Sequence, residues 1–210
     1  MHPISVVVLA GGASRRMGVN KALLELPSGE TLIERVLNSV RPLSDDFVIV
    51  SNTPELYAHL NGRLVSDEIV GAGPLAGLQA GLQAVRYDWA FVIACDMPLI
   101  DHRLVRFMAV LTEGYDAVVP LVDDELEPLH ALYNKSCLPA IASHLAAGQR
   151  RMISFYSDVR VRRVEAGEIA LFDPQGRTFF NANTPEDWER LQKLLYKPTK
   201  RRSTPKDTLL

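Results

Sequence analysis

Cysteine is scarce: Cys95 and Cys137 are the only two in 210 residues. Without a Cys-x-x-Cys pair or a Cys/His cluster, neither a disulfide framework nor a zinc site is suggested. Long hydrophobic runs are missing too. Trp89–Cys95 is typical of the longest, far short of the roughly 18 residues a spanning helix needs, so no membrane association is expected. The opening Met1-His2-Pro3-Ile4 lacks the basic stretch and cleavage motif of a secretory leader, and a cytoplasmic protein is the expectation. An excess of charge is absent as well. The formal net charge is −2, but Lys197, Lys200, Arg201, Arg202 and Lys206 against Asp207 give the last stretch +4, leaving −6 on residues 1–196. An acidic body argues against nucleic acid as a partner, because such binders carry a basic face on the fold. Residues 197–210 read as a basic, disordered tail with almost nothing apolar to bury.

What remains is ordinary globular material, 47% hydrophobic and 23% charged, enough for one sizeable core. Short β-branched runs alternate with helical spacing. Ile4–Ala10, Phe47–Val50, Leu64-Val65, Trp89–Cys95, Ala117–Pro120 and Leu129–Tyr133 read as strands. Thr31–Val40, Leu75–Val85, Leu104–Leu111 and Pro139–Ala147 read as helices, a further helix starts at Pro54, and Thr184-Pro185 opens a last one through Leu195. The alternation predicts βαβ units: one α/β domain over 1–196, three layers α/β/α around a mostly parallel, Rossmann-like sheet. Ligands of such sheets bind beyond the carboxyl ends of the strands, so the residues leaving each strand are the ones to read for chemistry.

The first strand exits into Leu9-Ala10-Gly11-Gly12-Ala13-Ser14-Arg15-Arg16-Met17-Gly18-Val19-Asn20-Lys21. Adjacent glycines let backbone N–H groups reach an anion unobstructed, and Arg15, Arg16 and Lys21 add positive charge suited to a triphosphate. No glycine here precedes a lysine, so this is no P-loop, and Ala13 breaks the dinucleotide pattern. Gly71, Gly73 and Ala76 do satisfy that pattern loosely, with Asp96 twenty residues on. There, however, Asp67–Val70 separate the glycines from the strand, whereas a dinucleotide site opens directly from it. Asp96 ends the most apolar internal strand, a rigid place for a carboxylate that shares a hard cation with substrate phosphates. Asp101 is the more natural cap for the next helix, which frees Asp96; Cys95 reads as packing. His130 has no partner suggesting a catalytic dyad and reads as structural.

Five segments in order, Leu9–Lys21, Gly73-Pro74-Leu75-Ala76-Gly77, Ala94-Cys95-Asp96-Met97-Pro98, Leu126-Glu127-Pro128-Leu129 and Asn181–Asp187, resemble the molybdenum cofactor guanylyltransferase family, within the nucleotidyltransferases of glycosyltransferase-A-like fold. The first segment is shared with cytidylyl-, sugar-phosphate and terpenoid-pathway relatives; the other four narrow the choice. The resemblance implies transfer of GMP from GTP to molybdopterin, with Mg²⁺ as cofactor, and transient contact with molybdenum-insertion or molybdoenzyme proteins. It implies nucleotide contacts at Leu9, Ala10, Gly11, Gly12, Lys21, Asn52, Asp67 and Asp96, metal at Asp96, catalytic roles for Lys21, Arg16 and Asp96, and a pterin side at Glu127, Asn181 and Asn183. Relatives preferring CTP usually carry alanines where this chain has Gly11-Gly12; glycines leave more room for a purine. Asn20 stands where Asp is commoner. The alternatives are a cytidylyltransferase making the cytosine dinucleotide, a sugar-phosphate nucleotidyltransferase, and a non-catalytic GTP sensor or cofactor chaperone.

Overall fold

The computed structural model describes residues 2–10, 20–67 and 73–196. The strands are β1 (Ile4–Leu9), β2 (Phe47–Val50), β3 (Arg63–Val65), β4 (Trp89–Ala94), β5 (Ala117–Val122), β6 (Glu125–Leu126), β7 (His130–Asn134) and β8 (Val161–Val164). The helices are α1 (Leu32–Val40), α2 (Pro74–Ala84), α3 (His102–Val110), α4 (Leu138–Ala146), α5 (Ala166–Ala170) and α6 (Pro185–Leu195). One sheet runs in the order β3-β2-β1-β4-β7-β5-β6, with β8 beside β5. β1, β2, β3 and β4 are mutually parallel, as is the β5–β8 pair. β7 runs antiparallel to both β4 and β5.

Alternation along the strands sorts the core into two layers. Ile4, Val6 and Val8 of β1 with Phe91 and Ile93 of β4 pack on α1, α3 and α5. Val7 and Leu9 with Ala90 and Val92 pack on α2 and α4. The three layers expected from the sequence are present. Helix α1 shows why its segment folds as it does: Leu32, Ile33, Val36, Leu37 and Val40 form one buried face, and Thr31 with Glu34 closes a reciprocal capping box at its start. Helix α2 lies unusually close to β1. A Cβ on Gly81 would sit 2.5 Å from Val7 Cγ1, so only glycine permits this approach.

Some segments differ from their sequence reading. The helix expected from Pro54 is a single 3-10 turn, Pro54–Tyr57. β8 escapes a periodicity search because Arg162 and Arg163 fill its middle, which an edge strand tolerates. The apolar segments around Met152–Tyr156 and Ile169–Phe172 join opposite layers, with Met152 and Phe155 beside Tyr133, and Ile169 beside Val164. Both are packing. No described helix is long and apolar enough to cross a membrane. The basic stretch 197–210 lies outside the described residues.

Candidate active site

Register places four strand exits side by side. Leu9 pairs with Val50 on one side and Ala94 on the other, and Val50 pairs with Val65. The ladder continues one residue beyond each strand: Ala10 N donates to Val50 O (2.9 Å), Cys95 N to Leu9 O (3.1 Å) and Ser51 N to Val65 O (2.9 Å). Ala10, Asn52, Asp67 and Asp96 therefore leave the sheet along one edge, with Asn52 exposed and Asp67 half-buried. Because β7 is antiparallel, its amino end reaches the same edge. Ala94 N donates to Leu129 O (3.1 Å), which brings the Leu126–Leu129 turn and Glu127 alongside Asp96.

Two further segments fold back onto this edge. Ala182 N donates to Asp96 O (3.0 Å), drawing in the chain that carries Asn181 and Asn183. Lys21 Nζ then donates to Asn183 Oδ1 (2.9 Å) across 162 residues of sequence. Asn183 does not cap α6. Thr184 does, accepting from Asp187 N, which leaves the Asn183 amide for Lys21. Asp101 caps α3 through Arg103 N and Leu104 N, so Asp96 is not spent as a cap. Asn181 is half-buried two residues upstream.

Burial and neighbouring charges shift the carboxyl groups along this edge. Burial pushes the Asp96 carboxyl above its ordinary range, while the nearby Lys21 charge pulls it back. Burial likewise raises Glu127; the Leu129 N–H opposes, and the Asp96 charge adds to the rise. Cys95, half-buried beneath, is pushed up to about 12 chiefly by burial and remains a thiol. Asp67 Oδ1 is buried with no hydrogen-bond donor among the described residues. Beside the Leu126–Leu129 turn opens a cleft of about 640 Å³, lined in part by Pro74, Leu126, Leu129, Arg151 and Met152.

Of the predicted site residues, Lys21, Asp96, Glu127 and Asn183 are brought together, and Leu9, Ala10, Asn52 and Asp67 lie on the same edge. Gly11, Gly12, Arg15 and Arg16 lie outside the described residues. His130 is fully buried between Phe91 and Phe179, with ring centroids 4.9 and 5.1 Å away, and belongs to the core. Tyr57 escaped the sequence reading. It is fully buried, yet its hydroxyl accepts from Asn20 Nδ2 (2.9 Å) and donates to Ala10 O (3.5 Å). A tyrosine in a short turn carries no signal of its own; only the fold brings it under the strand exits.

A sequence model of the MobA-like NTP transferase domain matches residues 6–161. The chain belongs to this family. As a MobA-like protein it is a nucleotidyltransferase. It is 37% identical to the probable molybdenum cofactor guanylyltransferase of Carboxydothermus hydrogenoformans, over 92% of this chain and 98% of that protein. With the probable molybdenum cofactor guanylyltransferase of Pelotomaculum thermopropionicum it shares 41% identity, over 86% of this chain and 88% of that protein. Among solved structures, the molybdopterin-guanine dinucleotide biosynthesis protein A of Archaeoglobus fulgidus superposes with a TM-score of 0.81 at 28% identity, covering 92% of this chain and all of that one. A 2-C-methyl-D-erythritol 4-phosphate cytidylyltransferase from Thermus thermophilus, 20% identical with a TM-score of 0.67 over 92% of this chain and 98% of that one, shares the fold. The MobA-like match ends at residue 161, so Asn181 and Asn183 reach the site from beyond it.

Proposed function

We propose that the chain transfers GMP from GTP to molybdopterin, giving the guanine dinucleotide cofactor and pyrophosphate. The observation that carries this reading is the convergence of Lys21 and Asp96, held at one edge by the Lys21–Asn183 and Ala182–Asp96 hydrogen bonds. Its relatives bear the name guanylyltransferase. A terminal phosphate oxygen of molybdopterin attacks the α-phosphorus of GTP; the new P–O bond forms as the bond to the β-phosphate oxygen breaks, and pyrophosphate leaves with that electron pair. The attacking phosphate is already an anion near neutral pH, so no general base is needed, and His130 is not called upon. What the protein supplies is position and charge. Lys21, with Arg16, neutralises charge gathering on the departing pyrophosphate. Asp67, on the same edge, orients the nucleoside by accepting from its hydroxyl or N–H groups.

The donor set fits Mg²⁺. No group of three or more ligating side chains occurs among the described residues, but Asp96 with neighbouring Glu127 is the one-or-two-carboxylate arrangement that Mg²⁺ completes with phosphate oxygens and water. Asp96 would hold the ion, which when bound would draw off negative charge from the phosphates. Glu127 and Asn183 border the side from which the acceptor enters, and the neighbouring cleft, walled by apolar side chains together with Arg151, Arg163, Asp124 and Glu125, offers room for a pterin bearing a phosphate.

Pyrophosphate release from GTP, Mg²⁺ and molybdopterin tests the reading. Lys21→Ala and Asp96→Ala should each lower turnover by roughly 100-fold or more while circular dichroism stays native. Near-normal turnover in either variant removes that residue's role. Faster reaction with CTP than with GTP, or with a sugar phosphate in place of molybdopterin, replaces the substrate assignment.

A further inference from the structure

Ala10 follows β1, and Asn20 immediately precedes Lys21. Both meet one buried hydroxyl. Tyr57 is fully buried, and its hydroxyl accepts a hydrogen from Asn20 Nδ2 and donates one to Ala10 O. Ser51, at the exit of β2, interacts with the same hydroxyl. A single oxygen thus meets the exits of β1 and β2 and the residue preceding Lys21.

The Asn20 side chain has a second task. Its Oδ1 accepts from Ala22 N at 3.1 Å and caps the 3-10 turn Lys21–Leu23. An amide whose carbonyl caps the turn has its NH₂ end aimed by the same rotation, and the Tyr57 hydroxyl is where that end lands. The departure noted in the sequence, Asn20 where a carboxylate is commoner, therefore has a structural use: the amide donates to a hydroxyl that in turn donates onward to Ala10 O. Orientation passes from the sheet through Tyr57 to Asn20, from Asn20 to the turn, and from the turn to the ammonium of Lys21.

We infer that Tyr57 is a positioning residue for the transfer reaction, holding Asn20 so that Lys21 is aimed at the phosphates. This rests on the role of Lys21 proposed above. A buried tyrosine that merely fills space would serve as well as phenylalanine. One that aims a charge would not, because small misplacements of a charge-stabilising group are costly to rate.

The test is steady-state kinetics with GTP, Mg²⁺ and molybdopterin on Tyr57→Phe, Asn20→Ala, Asn20→Asp, Lys21→Ala and the double variant Tyr57→Phe/Lys21→Ala, with Tm measured for each. Tyr57→Phe and Asn20→Ala should each lower kcat/KM for GTP by about 10-fold. Asn20→Asp should restore only part of it, since a carboxylate keeps the cap but has no hydrogen to donate to the tyrosine hydroxyl, whose own hydrogen goes to Ala10 O. In the Lys21→Ala background the kinetic penalty of Tyr57→Phe should vanish, although its Tm shift persists. The inference is overturned if Tyr57→Phe is kinetically normal while Lys21→Ala is disabled, or if the full penalty persists without the lysine. Normal turnover in Lys21→Ala itself would sink the parent reading, and this one with it.

Discussion

Asp96 is held where its charge is expensive. Burial raises its proton affinity and Lys21 only partly offsets the rise. A carboxyl whose folded value lies above its unfolded one contributes most when protonated. That contribution is lost as pH climbs through the raised value, so at neutral pH the ionised side chain destabilises the ligand-free protein. Replacing it by the neutral isostere should relieve the strain. Asp96→Asn is expected to raise the stability of the ligand-free protein at pH 7 by roughly 1 kcal/mol, measured by urea unfolding, while transfer activity collapses. Adding GTP with Mg²⁺ should reverse the order, stabilising the parent protein far more than the variant, because only the parent gains a ligand-linked increment. A variant less stable than its parent without ligand would show that Asp96 serves the fold. Glu127, raised by burial and by Asp96 together, belongs to the same economy of charge.

At the scale of elements, the site depends on how closely α2 lies against β1. Gly77 and Gly81 face Leu9 and Val7, and the space at Gly81 is already filled, with Val7 Cγ1 2.5 Å from where a Cβ would stand. The Gly73-Pro74 step also needs its glycine: Gly73 adopts φ +73° with ψ −168°, a positive-φ conformation that L side chains rarely adopt, and Pro74 then starts the helix. Gly81→Ala should destabilise the protein by about 2 kcal/mol through overpacking against a fully buried strand. Val7→Ala in the same chain should recover part of the loss, a coupling readable from a denaturation double-mutant cycle. Additive effects would mean that the helix shifts freely on the sheet. The antiparallel β7 is the second element that matters, since an additional parallel strand would have carried Glu127 to the opposite edge. In the sequence, Leu129–Tyr133 is legible as a strand, but its direction is not, because direction depends on the route by which the chain returns.

Across the whole molecule, one buried group adds a loss of stability in mild acid to that of the paired carboxylates such as Asp46 and Asp116. His130 lies fully buried between aromatic rings, with neither ring nitrogen hydrogen-bonded among the described residues, and burial lowers its pKa from the ordinary 6.5 to about 3. It stays neutral in the fold, whereas the unfolded chain takes up a proton below about 6.5. Stability should therefore decline from about pH 6.5 towards pH 3, the full effect of this one group being on the order of 4 kcal/mol. His144 works the other way: its bonds to Gln149 and Asp158 raise its pKa, so its contribution is present at low pH and fades as pH rises. The comparison that isolates His130 is the slope of Tm against pH for His130→Leu, expected to be shallower than that of the parent over pH 6 to 4. Parallel slopes would remove His130 as the cause.

Local chemistry suffices for a good deal of this protein. Apolar spacing announces α1 and the central strands, Thr184 and Asp101 mark helix starts by their side-chain oxygens, and Asp96 stands out as a charge ending an apolar run. These are properties of short stretches, decided by side-chain size, branching and hydrogen bonding within a few residues. What no short stretch contains is a meeting between distant ones. The pairing of Lys21 with Asn183, the delivery of Glu127 by a reversed strand and the burial of the Tyr57 hydroxyl beneath the strand exits arise only when the sheet closes its order and register. Tertiary structure decides them because hydrogen bonds and charge interactions act over a few ångströms, and only folding brings residues 21 and 183 to 2.9 Å.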